Sequence, residues 1–241
     1  IEARMNSTRL PGKVLEKIGA NKSIELQYKR IKQSKIIDEV IIITSTSNSD
    51  DVILEFSKKN NILCFRGSED DIVSRIYQAA KYRKADVIVQ TTGDCPLIDA
   101  ELIDKGLKIY FENSYDLVGN NLERTYPIGL DYRIFSYEVI QEVDKVCKDP
   151  IHRSHGSTFI YSDKGKKRFS SYNITADEEY SFPKMRLTVD TIEDLKFMKK
   201  ISEIFPNLEI LSSKEIISYL NKNKELTKIN ENIRQKTIEE G

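Results

Sequence analysis

Residues 86–99 read DVIVQTTGDCPLID, and this stretch governs how the rest of the chain is parsed. Val87, Ile88 and Val89 form a continuous β-branched apolar run, the pattern of a strand buried on both faces. Gly93 and Pro96 interrupt it with turn chemistry, and Asp99 heads a helix predicted to reach residue 111. A doubly buried strand that feeds a helix at once is half of a βαβ unit.

The same alternation continues upstream. An amphipathic helix is predicted over residues 24–31, a strand over 39–45 (EVIIITS), a helix over 50–59 and a short strand over 61–65 (NILCF). Ser68, with Asp71 three residues on, is read as the cap of a helix running to residue 83, with Ile72, Ile76, Ala79 and Ala80 at helical spacing. Alternation at this pace implies a parallel sheet with helices on its faces. Downstream the rhythm weakens after Tyr115. Residues 119–186 hold short β-like pieces such as KRFSSYNI (167–174), expected to form a ribbon, a lid or an oligomer contact. MRLTVD (185–190) is predicted as one more strand, followed by a helix over 191–205. The expected organisation is one domain over residues 1–222, with 119–186 as an insertion and 223–241 as a polar, peripheral or disordered tail. Because Ile1 already lies at a loop, a first strand is expected to precede it.

Composition excludes several roles. Lys plus Arg and Asp plus Glu number 38 each, so no global field favours nucleic acid or a membrane surface, and any anion site must be local. Cys64, Cys95 and Cys147 are odd in number and lack CxxC spacing, which argues against a disulfide framework or a zinc site and suits a cytoplasmic setting. No apolar run approaches the roughly 20 residues of a membrane span, and no signal-peptide pattern occurs.

In open parallel sheets, ligands gather at the carboxyl ends of the strands. Three segments sit at such ends. The opening IEARMNSTRLPGK (1–13) carries Arg4, Arg9 and Lys13 among Ser, Pro and Gly residues. Such a loop can turn backbone N–H groups toward an anion, with Arg9 gripping phosphate oxygens as a planar fork and Lys13 as a point charge. The bland alternative is a solvated basic loop. Asp94 ends the 86–92 strand, where one rigidly held carboxylate can ligate Mg2+ when phosphate completes the shell; the alternative is an ordinary Gly-Asp turn. Asp190 ends the 185–190 run ahead of a Thr191–Asp194 helix start, and it too reads either as a ligand or as a loop carboxylate. Together the three make a metal–triphosphate site.

These residues carry a resemblance. The loop over residues 3–13, FRGSEDDIVSRIYQAA (65–80), GDCPLID (93–99), YPIGLD (126–131), HRSH (152–155) and VDTIEDL (189–195) resemble, in the same order, blocks of the sugar-acid cytidylyltransferases. The similarity is to the CMP-KDO and CMP-sialic acid synthetases, and within them to the branch of spore-coat polysaccharide biosynthesis proteins. It implies a three-layer Rossmann-like nucleotidyltransferase fold of GT-A-like type, with a mostly parallel central sheet. It implies a CTP-dependent transfer of CMP to a sugar acid or related acceptor, with pyrophosphate as product and Mg2+ as cofactor. By this resemblance Arg4, Ser7, Arg9 and Lys13 face the phosphates, and Ser68 and Arg75 lie near base and ribose. Asp94 and Asp190 hold the metal, while Asn121, Tyr126, Asp131 and His155 line the acceptor side. A homodimer formed through residues 119–185 is implied as well. The chain departs from the branch at Glu2, where Gln is usual, which sets a carboxylate close to the phosphate site.

Asp131 and His155 are the two candidates for a general base if the acceptor is a hydroxyl; a phosphate acceptor needs none. His152 and His155 as a metal pair lack a third ligand, and a capping or solvated role suits His152 better. For Ser68 and Arg75 the competing readings are a helix cap and a surface helix residue. Two other classes of function stand beside the first: a nucleotide-sugar-dependent glycosyltransferase, which would carry a DxD that this chain lacks, and a non-catalytic scaffold, which would dispense with the phosphate cations and both aspartates. A nucleotidyltransferase that uses another NTP is a further alternative.

Overall fold

Backbone hydrogen bonds of residues 1–3 join two strand groups into one sheet. The computed structural model describes residues 1–240 of the chain. Ala3 N donates to Ile43 O (3.0 Å) and Ile43 N to Ile1 O (2.8 Å), while on the other side Glu2 N donates to Thr91 O (2.9 Å) and Gly93 N to Glu2 O (2.7 Å). Residues 1–3, expected as the start of a loop, instead pair on both sides and form the seam of the sheet.

Beyond the seam, a small antiparallel hairpin, β1 (Lys17–Ile18) and β2 (Asn21–Lys22), leads into α1 (Ser23–Ile31). The elements β3 (Ile41–Ser45), α2 (Asp51–Lys59), β4 (Leu63–Gly67), α3 (Ile72–Arg83), β5 (Val87–Gln90) and α4 (Ala100–Glu112) follow. Next come β6 (Leu117–Gly119), β7 (Arg133–Ser136), α5 (Tyr137–Val146), α6 (Pro150–Arg153) and β8 (Ser171–Asn173). The chain closes with α7 (Ile192–Ile204), α8 (Ser213–Lys222) and α9 (Lys224–Thr227). Across the sheet the order is β4, β3, residues 1–3, β5, β7, β6, β8. All neighbours are parallel except β7, which runs antiparallel to both β5 and β6.

Period-two alternation explains the three layers. Ile42, Val118 and Ile134 face one core, against residues of α1, α4, α7 and α8 such as Leu26, Ile103, Phe197 and Ile217. Their neighbours Ile43, Leu117 and Phe135 face a second core, against Ile76 of α3 and Val139 and Ile140 of α5. Residues 119–186, expected as a ribbon, a lid or an oligomer contact, instead contribute β7 and β8 and the end of β6 to the main sheet.

Four local expectations change. Strand β4 lies two residues later than predicted, ending at Gly67. The cap of α3 is Asp71, whose Oδ1 accepts from Ser74 N at 2.9 Å; Ser68 instead shapes the preceding turn, its Oγ accepting from Asp71 N at 3.1 Å. Residues 185–190 form only a bridge, Ile128 to Arg186, and bend at Thr188 and Asp190, because their backbone groups are shared between two loops. Ile128 bonds both Met185 and Leu187, and Val189 N donates to Asp94 O at 2.8 Å. Finally, the polar segment after Lys222 docks on the body: Leu226 and Ile229, three apart, pack on the main core, and Asn230 is buried.

A cavity of about 530 Å³ opens between the amino-terminal halves of β3 and β5, lined by Ile37, Val40, Val87, Leu107 and Phe111. Neither Asp94 nor Asp190 lines it.

Candidate active site

The loop over residues 4–13 leaves the seam at the carboxyl end of the sheet and folds back on itself. Met5 O accepts from both Ser7 N and Gly12 N at 2.9 Å. Gly12 has φ +75°, a conformation a side chain would strain, and it starts the short turn that holds Lys13. Buried Asp50 anchors the loop from below, accepting from Met5 N at 2.7 Å while Thr44 and Ser45 hold its other oxygen. The N–H groups of Thr8, Arg9 and Leu10 make no hydrogen bond among the described residues. They form a set of open donors suited to an anion.

Under this loop the two aspartates converge. Lys13 Nζ lies 2.7 Å from Asp190 Oδ1 and 3.2 Å from Asp94 Oδ2, and Arg9 reaches Asp190 Oδ1 at 3.1 Å. The sequence separates them by almost 100 residues, but Asp94 O accepts both Val189 N and the Thr188 hydroxyl (3.0 Å), which fastens the two loops together. Gly93 is required at this junction: a Cβ there would stand 2.9 Å from Glu2 O. Burial alone would raise the Asp94 pKa, but the Lys13 ammonium and the Thr92 hydroxyl hold it down at about 2. Burial opposes the Lys13 charge, and the two carboxylates outweigh it, so its pKa is raised.

Two carboxylates with no third acidic or His/Cys ligand among the described residues suit a hard divalent cation that fills its other positions with phosphate and water. Their oxygens already converge on one cation, the Lys13 ammonium.

The remaining expected residues fall into three places. Ser7 and Arg4 are on the loop, Arg4 exposed. Ser68 and Arg75 stand beside it at the β4–α3 turn, which Asn6 ties to the loop through Glu69 (3.2 Å). Arg75 is not a surface residue: it is 2% exposed and packs on Gly67, with NH1 on Ser68 O (3.0 Å) and its Nε without a partner among the described residues. Asp131 pairs bidentately with Arg124 (2.8 and 2.9 Å) near Cys95. Asn121 accepts from Arg133, which pairs with Gln90 at the end of β5. His155 precedes Gly156 and Ser157, both against the Gln90 side chain, and its Nδ1 donates to Ile151 O (2.8 Å), leaving Nε2 as the open nitrogen. His152 is structural, with Nδ1 on the Thr158 hydroxyl and its ring edge-on to Phe159. Tyr126 is the exception: it lies in the main core against Tyr180, its hydroxyl without a partner among the described residues. Glu2 faces sideways, accepting from the Gln90 amide.

Sequence reasoning missed Asp50, Thr92, Arg124 and Arg186. Arg186 is 3% exposed and donates to Asp194 twice (3.1 and 3.0 Å) and to Asp190 Oδ2 at 3.4 Å. A cation inside the apolar MRLTVD run was the available signal.

The three-layer α/β fold thus holds a basic loop over two convergent carboxylates at the carboxyl end of its sheet. Residues 1–233 match the cytidylyltransferase family, and the chain belongs to it. Among its relatives, an uncharacterized protein of Methanocaldococcus jannaschii is 34% identical over 240 residues, covering 100% of this chain and 96% of its own. The spore coat polysaccharide biosynthesis protein SpsF of Bacillus subtilis is 30% identical, covering 92% and 93%. A cytidylyltransferase structure from Leptospira borgpetersenii superposes with TM-score 0.88 at 32% identity, over 98% of this chain and 97% of that one. More distant structures share the fold. A CMP:2-keto-3-deoxy-manno-octonic acid synthetase complexed with CTP has TM-score 0.62 at 14% identity, over 84% and 96%. A Mycobacterium tuberculosis protein solved with manganese has TM-score 0.54 at 14% identity, over 80% and 94%. Family membership makes the chain an enzyme and removes the glycosyltransferase and scaffold readings.

Proposed function

We propose that this enzyme transfers CMP from CTP to a sugar acid or a related acceptor, releasing pyrophosphate, with Mg2+ as its metal. The observation that carries the reading is the convergence of Lys13 and Arg9 on Asp94 and Asp190 beneath open loop N–H groups. The CTP-bound synthetase and the manganese complex of the same fold support the nucleotide and a divalent metal.

In the reaction an acceptor oxygen attacks the α-phosphorus, and the bond to the β-phosphate oxygen breaks in line as pyrophosphate departs. Such a transfer depends on positioning and charge neutralisation. Asp94 and Asp190 would hold the metal, which would supply Lewis-acid charge at the phosphates when bound. The N–H groups of residues 8–10 and the Arg9 guanidinium take the charge that builds on the leaving pyrophosphate. Lys13 moves its ammonium from the carboxylates onto phosphate oxygens as the triphosphate enters. Arg4 and Ser7 extend the phosphate loop, and Ser68 and Arg75 border base and ribose. Asn121, Asp131 and His155 line the acceptor side. For a hydroxyl acceptor, His155 Nε2 takes the proton; Asp131, engaged by Arg124, orients the acceptor. Tyr126 acts from within the core as support for that wall.

SpsF similarity supports a place in surface polysaccharide biosynthesis, and three free cysteines support a cytoplasmic setting. No described helix is long and apolar enough to cross a membrane. We take the working unit to be a homodimer, tested by light scattering.

Melting-temperature shifts with CTP, UTP, GTP and ATP, each with and without Mg2+, test the nucleotide, because ligands of the native state raise its stability. The largest Mg2+-dependent shift is expected with CTP; a larger one with another triphosphate would replace the base. Pyrophosphate release with sugar acids then tests the acceptor.

A further inference from the structure

We infer that Asn230 and Gln235, in the segment after α9, are positioning residues for Asp190, acting through the buried pair Arg186–Asp194. The inference rests on the functional reading above, in which Asp190 is a metal ligand.

The two oxygens of Asp190 have separate duties. Oδ1 faces the site, where Lys13 and Arg9 meet it. Oδ2 faces the interior, toward Arg186. Behind it, Asp194 Oδ2 accepts from the Asp190 N–H at 3.0 Å, so both the carboxylate and the backbone of Asp190 lean on the Arg186–Asp194 pair. Rotation of either partner would turn Oδ1 away from the cation position.

The C-terminal segment completes that pair. Asn230 is 2% exposed, and its amide donates to Asp194 Oδ1 at 2.9 Å and to Arg186 O at 3.3 Å, clasping both partners. Gln235 lies at the surface, yet its Oε1 accepts from Arg186 NH1 at 2.8 Å. With that bond every nitrogen of the guanidinium has an acceptor: Nε on Asp194, NH2 on Asp194 and Asp190, NH1 on Gln235. A buried ion pair holds a fixed geometry only when its remaining hydrogen-bonding positions are filled. Outer partners of metal ligands set ligand orientation and through it metal affinity.

The test compares wild type with Gln235→Met, Gln235→Glu and Asn230→Leu in the full chain. Mn2+ affinity in the presence of CTP is read by electron paramagnetic resonance, CTP binding in EDTA by thermal shift, and stability by unfolding. Gln235 is exposed, so its variants keep the fold. Gln235→Met is expected to weaken Mn2+ roughly tenfold, the lower end for loss of an outer partner, with metal-free CTP binding unchanged. Gln235→Glu restores an acceptor for Arg186 and is expected to restore Mn2+ affinity. Asn230→Leu is expected to lower both stability and Mn2+ affinity. Folded Gln235→Met with Mn2+ affinity within about twofold of wild type, well short of that effect, overturns the inference. So does Asn230→Leu if it loses stability alone. A wild type that takes up no Mn2+ with CTP overturns the functional reading itself, and the inference with it.

Discussion

Lys13 Nζ lies 2.7 Å from Asp190 Oδ1 and 3.2 Å from Asp94 Oδ2, so one ammonium bridges both carboxylates. Removing it leaves Asp94 without its cation while Asp190 keeps Arg9 and Arg186, a loss on the order of 3 kcal/mol for a broken buried pair. Lys13→Met should therefore melt well below wild type, and Mn2+ alone should recover much of the loss. Its turnover with CTP should still fall at least about a hundredfold if Lys13 meets the phosphates as proposed. A variant that melts alike with and without Mn2+ would contradict the pairing.

Asp94→Asn removes one ligand charge but keeps the shape. Turnover should drop by roughly 10²–10³-fold, with circular dichroism unchanged. Full activity in this variant would dismiss Asp94 as a metal ligand.

Under the proposed function Arg9, which stands on Asp190 in the structure, meets the phosphates of CTP beyond the one it shares with CMP. Arg9→Ala should weaken CTP about tenfold, near 1.4 kcal/mol, and CMP far less. Equal losses for the two nucleotides, measured by calorimetry, would remove Arg9 from the phosphate site.

The pH response follows from the paired charges. The Asp94 pKa is held at about 2 against an ordinary 3.8. Its contribution to stability is thus present above 3.8 and fades as pH falls toward 2. Lys13 is raised above 10.5, so its contribution is full below that value and fades above it. Melting temperature should fall at both extremes, and Asp94→Asn should flatten the acid limb; an unaltered acid limb would count against the pairing.

Gly129 has φ +103°, and a Cβ there would lie 2.3 Å from Leu187 O. Gly129→Ala should destabilise by roughly 1–3 kcal/mol and disturb the Ile128–Leu187 contact that leads toward Asp190. Urea unfolding with an unchanged midpoint would show that the loop yields freely.

Much of the fold was legible because burial leaves a periodic trace. The runs around Ile42 and Val89 announce strands, and Ile72 with Ile76, Ala79 and Ala80 announces a helix face. Asp94 and Asp190 were legible because each ends such a run. Arg186 was not, since one cation inside an apolar hexapeptide does not reveal which anion it meets. Asp194 reads locally as a cap and indeed serves as one, which hides its second duty. Asn230 was beyond reach: its burial depends on a carbonyl 44 residues earlier. Ser68 misled because Asp71, three residues on, is the better placed acceptor for Ser74.

The seam formed by residues 1–3 has a mechanical consequence. The loop over residues 4–13 continues directly from the segment that holds the β3–β4 and β5–β8 halves together. Tension applied at the loop is thus delivered to the joint between the halves, and a ligand that immobilises the loop should slow amide exchange at Ile43 and Gly93 together. Grip on the triphosphate and cohesion of the sheet would then rise and fall as one quantity.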